Sequence, residues 1–328
     1  MSNEHLNHAK KVRNDEFYTG LSDIQKEINN YVDKFKGKVV FCNCDDPFES
    51  NFVKYFLMNF NHLELKELIV NGYRLNGDDP AYILRVLSTK KYLSEGREDL
   101  DITGVKYFLH TEGSNSMTPL LDRSAGDFRS DISLRLLQES DIVITNPPFS
   151  LFREFVATLM KYEKQFLILG SLCAVGYKDI FPLLRDNKIW FGCNNGSKEY
   201  EVAESYAKEK SKNTYKKGDK WYTKLGNTYW YTNIDNVKRH TMLPLDLSFA
   251  YNGHEDMYPK YDNYDAINVD RVSKIPCDYM DYMGVPVTFL EKYCPEQFEI
   301  IDICDDLEYT KEQNKVRTYN RIIIKRIL

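Results

Sequence analysis

The chain has no apolar run long enough to span a bilayer; the longest, "FLILGSLCAVGY" at 166–177, fits a buried strand. The opening "MSNEHLNHAKKVRND" lacks the apolar core of a secretory signal, so the expected location is the cytoplasm. Seven cysteines, an odd number without repeated paired spacing, fit a reduced compartment rather than a disulfide framework. Cys42 and Cys44 form C-x-C in what reads as a strand, but a zinc site needs two more ligands at suitable spacing. No spacing among the six histidines suggests a metal site either, so no metal is expected. There is no internal repeat and no low-complexity segment.

What remains is ordinary for a soluble globular chain: 42% apolar and 28% charged residues. A length of 328 residues implies one large domain with an addition, or two domains. The net charge of −5 offers no global attraction for nucleic acid, but local patches decide such binding. Between 208 and 224, "KEKSKNTYKKGDKWYTK" carries seven lysines against Glu209 and Asp219, with Tyr215, Trp221 and Tyr222 interleaved. Such a segment can track a phosphate backbone while stacking on bases; the alternative is a solvated loop.

Apolar runs and helical spacings alternate from about residue 21 to 193. A helix is expected over 21–35, a strand at "KVVFCNC", a helix at "FVKYFLMNF" and a strand at "LKELIVNGY". After a polar stretch over 74–122 come "GDFRSDISLRLLQES", the strand "DIVIT", a helix, the strand "QFLILGSL", a helix near "YKDIFPLLRDN" and "KIWFGC". This alternation predicts an α/β fold with a doubly wound, mostly parallel sheet, whose ligands bind beyond the carboxyl ends of the strands. Asp45, Asp127 and Asn146 would converge there. Past Cys193 lysine, tyrosine and asparagine dominate and helical periodicity fades.

The stretch "DIVITNPPFSLF" at 141–152 runs an apolar strand into two prolines. Neither Pro147 nor Pro148 can donate a ladder hydrogen bond, so the strand stops and a stiff tip follows. An exocyclic amine on a base is a poor nucleophile because its lone pair is delocalised into the ring. Acceptors for both amino hydrogens free that pair, and the Asn146 side-chain oxygen and the Pro147 carbonyl are two such acceptors. Pro148 stiffens the tip and Phe149 can stack on the base, which must leave the duplex stack to reach it. The structural alternative is a proline turn in which Asn146 caps the next helix.

Several segments together resemble the EcoRI-type modification methylases, adenine-N6 DNA methyltransferases that use S-adenosylmethionine. They are "DEFYT" at 15–19, "VVFCNCDDP" at 39–47, "GDFRS" at 126–130 and "DIVITNPPFSLF". Beyond these lie "WYTNID" at 230–235, "YPKYDNYDAINV" at 258–269, "MGVPVTFL" at 283–290 and "PEQF" at 295–298. The resemblance implies a Rossmann-like methyltransferase core with a C-terminal DNA target-recognition region. It implies that residues 1–195 form the catalytic core, with an insertion at about 74–122. Residues 196–328 would bind DNA, with part of the core completed near 228–235.

By the same resemblance Asn146, Pro147, Pro148 and Phe149 are catalytic. Phe17, Tyr18 and Thr19 would contact the methionine end of the cofactor, and Asp127 and Phe128 its adenine. Asn43, Asp45 and Asp46 lie in the first-strand loop. That loop departs from the usual pattern, because it holds no glycine. Asp45 and Asp46 would hold cofactor groups or cap the following helix, and Asn71 stands where an acidic ribose partner is usual. Lys216, Lys217, Trp230, Tyr231, Arg239 and Lys260 are candidate DNA contacts; for Trp230 and Tyr231 the alternative is a buried strand aromatic. The implied activity is that of a monomeric modification enzyme of a type II restriction-modification system. It would act on double-stranded DNA, without membrane or metal, and without a stable complex with a cognate endonuclease. Methylation of RNA or a protein glutamine, or binding without turnover, are the alternatives.

Overall fold

The computed structural model describes residues 18–48, 50–72, 81–87, 116–120, 126–202, 214–252 and 257–327. Phe17 and most of the 74–122 stretch lie outside them. The chain divides into two compact units, Met1–Leu172 with Asn194–Ile234, and Cys173–Cys193 with Asp235–Leu328.

The first unit is built on one twisted sheet. Its strands are β1 (Tyr18–Thr19), β2 (Val39–Cys42), β3 (Glu67–Asn71), β4 (Tyr82–Val86), β5 (Ser116–Pro119), β6 (Ile142–Thr145) and β7 (Gln165–Ser171). After β8 (Trp190–Phe191), which belongs to the second unit, come β9 (Gly196–Val202), β10 (Thr214–Lys217) and β11 (Lys220–Thr232). The order is β1-β9-β11-β7-β6-β2-β3-β4-β5, with β10 a hairpin partner of β11. Strands β2, β3 and β6 are buried at every position, as continuous apolar runs in a parallel sheet should be.

Parallel pairing is confined to the centre, β3-β2-β6-β7, and the outer pairs are antiparallel. Helices explain the difference. The crossovers run through α2 (Asn51–Asn59) between β2 and β3, and through α4 (Phe152–Lys161) between β6 and β7. Between them in sequence, α3 (Asp131–Glu139) leads into β6. β10 and β11, by contrast, join through a tight turn and pair antiparallel. The expected helix over 21–35 is shorter: α1 spans Leu21–Ile28, and a 3-10 turn follows at Val32–Lys34. Asn30 ends it by donating its side-chain amide to the carbonyls of Lys26 and Glu27, both at 2.9 Å.

Neighbouring residues on β11 cover opposite faces of the sheet. Trp230 meets Phe52 of α2 edge-on at 6.0 Å, and Tyr231 meets Phe152 of α4 at 5.0 Å. Both β11 aromatics are fully buried. They are core residues, and the DNA-contact role expected for them is not available in this packing. Asn194–Ile234 belongs to the first unit, where β11 pairs with β7.

The second unit carries a sheet of order β12-β13-β17-β14, from β12 (Ile267–Asn268), β13 (Met283–Pro286), β14 (Phe298–Cys304) and β17 (Arg321–Arg326). A hairpin joins β15 (Glu308–Lys311) to β16 (Asn314–Arg317), and helices α5 (Phe181–Arg185) and α6 (Phe249–Asn252) complete the unit. No helix among the described residues is long and apolar enough to cross a membrane.

Gly170 on β7 fixes how closely α4 approaches the sheet. A methyl group there would lie 2.5 Å from Cε2 of Phe152 and 3.0 Å from Cε2 of Tyr231. Gly170→Ala is therefore expected to lower the unfolding free energy by about 1–3 kcal/mol, read as a lower urea midpoint at unchanged slope. An unchanged midpoint would show that this contact is not tight.

Candidate active site

Because β2 and β6 are parallel neighbours, their carboxyl ends open on the same side, where the chain order reverses across the sheet. Asn43, Cys44 and Asp45 follow β2, and Asn146 follows β6. Apolar β-branched strands bring the polar residues to one edge.

The junction is direct. Thr145, the last residue of β6, donates its hydroxyl to Asp45 Oδ2 at 2.5 Å and accepts from the Cys44 amide at 3.2 Å. The other oxygen of Asp45 accepts from Ser50 Oγ at 2.6 Å, and Ser50 is the N-cap of α2, accepting from the Phe52 amide at 3.1 Å. Asp45 is thus the buried centre of the first-strand loop. Burial pushes its carboxyl up to about 6, against the opposing hydrogen bonds from Ser50 and Thr145 and with the help of neighbouring Asp46. Asp46 shapes the turn instead: its side chain accepts from the Phe48 amide at 2.8 Å, and its carbonyl from the Ser50 amide at 3.1 Å.

The glycine absent from this loop is found opposite it. Gly72, just past β3, lies so close that a methyl group there would be 2.5 Å from the Asp45 carbonyl oxygen. Close backbone approach is achieved from the facing strand. Next to Gly72, buried Asn71 donates to Ser133 Oγ of α3 at 2.7 Å, and its side-chain oxygen has no partner among the described residues. The buried Thr19 hydroxyl on β1 also has none, while its carbonyl accepts from Asn51 Nδ2 of α2 at 2.8 Å. Tyr18 precedes it on β1, paired with Glu201. Asn43 is buried beside Asp45.

The tip is held at both ends. Upstream stands the Thr145 hydroxyl; downstream, Pro148 begins a 3-10 turn over Phe149–Leu151, with the Leu151 amide on the Pro148 carbonyl at 2.9 Å. Phe152 then wedges onto Gly170. Pro147 is buried, whereas Asn146, Pro148 and Phe149 are half-buried. Asn146 caps no helix, since the turn is capped at Pro148 and α4 at Leu151.

Asp127 does not cap α3 either; Ser130 does, accepting from the Ser133 amide at 3.1 Å. Asp127 takes Arg129 Nη2 at 2.7 Å and Arg129 Nε at 2.9 Å. Burial works against its charge, but the hydrogen bonds and charge of Arg129 outweigh it and hold the carboxyl below the usual range. Phe128 is buried with its ring edge-on to Phe155 at 5.0 Å, so it supports the loop from within the core.

The DNA candidates separate. Lys216 and Lys217 are exposed on the β10–β11 hairpin, which turns at Gly218 with φ of 63°. Tyr215 and Tyr222 stack across it at 6.2 Å, Tyr215 bonds Glu199, and Lys217 and Lys224 lie over the two rings at 5.7 and 5.8 Å. In the second unit Arg239 is committed to structure, 3.9 Å above the Trp190 ring and bonded to Asn187 at 2.8 Å. Lys260 is exposed and paired with Asp265 at 2.8 Å. Sequence reasoning missed Thr145, Ser50 and Gly72; the first two are ordinary strand-end and cap residues, and "VNG" at the end of β3 was the one available signal for the third.

A raised carboxyl has a definite thermodynamic sign. The folded protein binds the Asp45 proton more tightly than the unfolded chain, so its contribution to stability is full below the unfolded value and is lost as pH rises through about 6. The difference in unfolding free energy between the parent and Asp45→Asn should fall by up to about 3 kcal/mol from pH 4 to 7; a flat difference would mean that Asp45 titrates as an ordinary carboxyl.

A family model described as adenine-specific methyltransferase EcoRI matches residues 5–327. The type II methyltransferase M.EcoRI of Escherichia coli is 42% identical over 333 residues, covering 99% of this chain and 97% of the relative. M.MpnI of Mycoplasma pneumoniae, also a type II methyltransferase, is 38% identical over 327 residues, with 97% and 91% covered. M.MgeORF184P of Mycoplasma genitalium is 38% identical over 301 residues, with 91% and 86% covered. No solved structure gives a significant match. Matched along nearly its whole length, the chain belongs to the EcoRI adenine-specific methyltransferase family.

Proposed function

We infer that the chain is a site-specific DNA adenine-N6 methyltransferase, the modification enzyme of a type II restriction-modification system. It acts on the exocyclic amine of an adenine flipped out of duplex DNA. Family membership carries the reaction class. The observation that carries the chemistry is the tip after β6, where Asn146 and Pro147 follow a strand end fixed to the first-strand loop.

The methyl donor of this family is S-adenosylmethionine, and the site suits it. The buried polar atoms of Thr19 and Asn71 that have no partner among the described residues lie on strands of the same sheet, and Asp127 keeps its charge. In this reading Thr19, Tyr18, Phe17, Asn43 and Asp127 hold the cofactor, and Asp46 and Phe128 shape the pocket around it. Bound there, the cofactor supplies an electrophilic methyl group and is left as S-adenosylhomocysteine.

The remaining tasks fall to the chain's own residues. Asn146 Oδ1 and the Pro147 carbonyl accept the two amine hydrogens, which returns the lone pair to N6. The same acceptors stabilise the positive charge that builds on nitrogen as its new bond forms, and the surplus proton departs along one of them. Pro148 keeps the acceptors in place before reaction, and Phe149 stacks on the base. The core sheet is Rossmann-like in this reading, and the second unit, with Lys260 on its surface, is the target-recognition region. The β10–β11 hairpin adds a basic, aromatic arm to the catalytic unit, with Lys216 and Lys217 on phosphates.

Asn146→Ala should lower kcat for DNA methylation by about 100- to 1,000-fold, with the Kd for S-adenosylmethionine changed by less than roughly threefold. Turnover near the parent rate would remove Asn146 from the mechanism. Changing Lys216 and Lys217 together to Ala should weaken DNA binding and reduce the slope of log affinity against log salt by about 1.8. An unchanged slope would place the hairpin away from the phosphates.

A further inference from the structure

The resemblance left two roles open for Asp45, cofactor ligand or helix cap, and the hydrogen bonds favour neither. Its two oxygens point to protein partners on different elements: Ser50 at the start of α2 and Thr145 at the end of β6. The cap itself is Ser50. Thr145 uses its one hydroxyl in both directions, as donor to Asp45 and acceptor for the Cys44 amide. It is fully buried, and it is covalently next to Asn146.

We infer that Thr145 and Asp45 are positioning residues for methyl transfer: their hydrogen bond ties the first-strand loop to the amine-holding tip and sets where Asn146 and the Pro147 carbonyl present their acceptors. This rests on the reading of the tip given above. The geometry accounts for a feature that the glycine-free loop otherwise leaves unexplained. A glycine-rich turn would bring the loop backbone in close, but it carries no side chain to bind a neighbouring strand. Here Gly72 provides the close approach from β3, which leaves the loop position free for a carboxylate. The carboxylate then locks two strand ends that are already parallel neighbours. A hydroxyl is required at 145 because it must donate to Asp45 and accept from Cys44 at once; a β-branched residue also suits the last position of a buried strand.

The test compares Thr145→Val, which keeps the shape and removes the hydroxyl, with Thr145→Ser, which restores it. Both full-length variants are assayed on duplex DNA beside the parent, with bound S-adenosylmethionine per chain confirming folded sites. For Thr145→Val, kcat should fall by about 10- to 100-fold, while the Kd for S-adenosylmethionine moves by less than roughly threefold; Thr145→Ser should recover most of the lost kcat. Kcat unchanged in Thr145→Val, or a loss that Thr145→Ser does not repair, would overturn the inference. A loss confined to cofactor affinity would make the pair part of the cofactor pocket instead, and would overturn it too.

Peptide-resolved hydrogen exchange reads the same link without turnover. In Thr145→Val, peptides covering 43–48 and 143–149 should lose protection together. An unchanged tip peptide would contradict the inference whatever the activity. A parent chain that binds S-adenosylmethionine and leaves duplex DNA unmethylated would instead count against the proposed function, while the exchange result would still decide the link.

Discussion

The Asp45 carboxyl accepting from Thr145 on one side and Ser50 on the other is the contact on which the rest of the site depends. Removing a carboxylate from water is costly, and burial pushes this one up to about 6. The cost is offset where both oxygens are hydrogen-bonded, and those bonds join three elements at the open end of the sheet. Through Ser50 the contact reaches the start of α2, whose Asn51 holds the Thr19 carbonyl. Through Thr145 it reaches Asn146. A single buried group thus links the expected cofactor segments to the tip.

Apolar packing supports this polar joint from beneath. Phe152 leaves the tip and lands on Gly170, with Tyr231 alongside, while Trp230 meets Phe52 of α2 on the opposite face. Strand β11 is therefore a wall of the core behind both helices that begin at the site. Its two aromatics carry packing rather than recognition. The basic, aromatic character that recognition calls for is concentrated on the β10–β11 hairpin, where stacked Tyr215 and Tyr222 hold lysines over their faces.

Much of this was legible in the sequence where one local signal matched one local structure. The continuous apolar runs at "VVFC", "ELIVN" and "IVIT" became the buried parallel strands β2, β3 and β6, and the prolines after Thr145 ended β6 where expected. What was not legible depended on contacts between distant segments. Nothing in "CNCDDP" shows that Asp45 faces Thr145, one hundred residues away, or that Gly72 supplies the close approach the loop itself lacks. An aromatic pair such as Trp230 and Tyr231 reads the same whether buried or exposed, until a partner strand fixes its faces. The lysine-rich stretch read as a loop or a basic arm, because exposed hairpins have little apolar alternation to mark them. The outer antiparallel strands were likewise hidden, since pairing direction follows from the connection and not from the run itself.

In the proposed reaction the Asn146 tip directs a methyl group to the exocyclic nitrogen of adenine in duplex DNA. This is tested most directly by incubating the protein with duplex DNA and S-adenosylmethionine carrying an isotopic methyl group, digesting the DNA to nucleosides and weighing the labelled product. Methyl transfer by this tip leaves the label in N6-methyldeoxyadenosine at one recurring sequence context. Label on cytosine, or label appearing only in RNA or protein offered as the substrate, would contradict it.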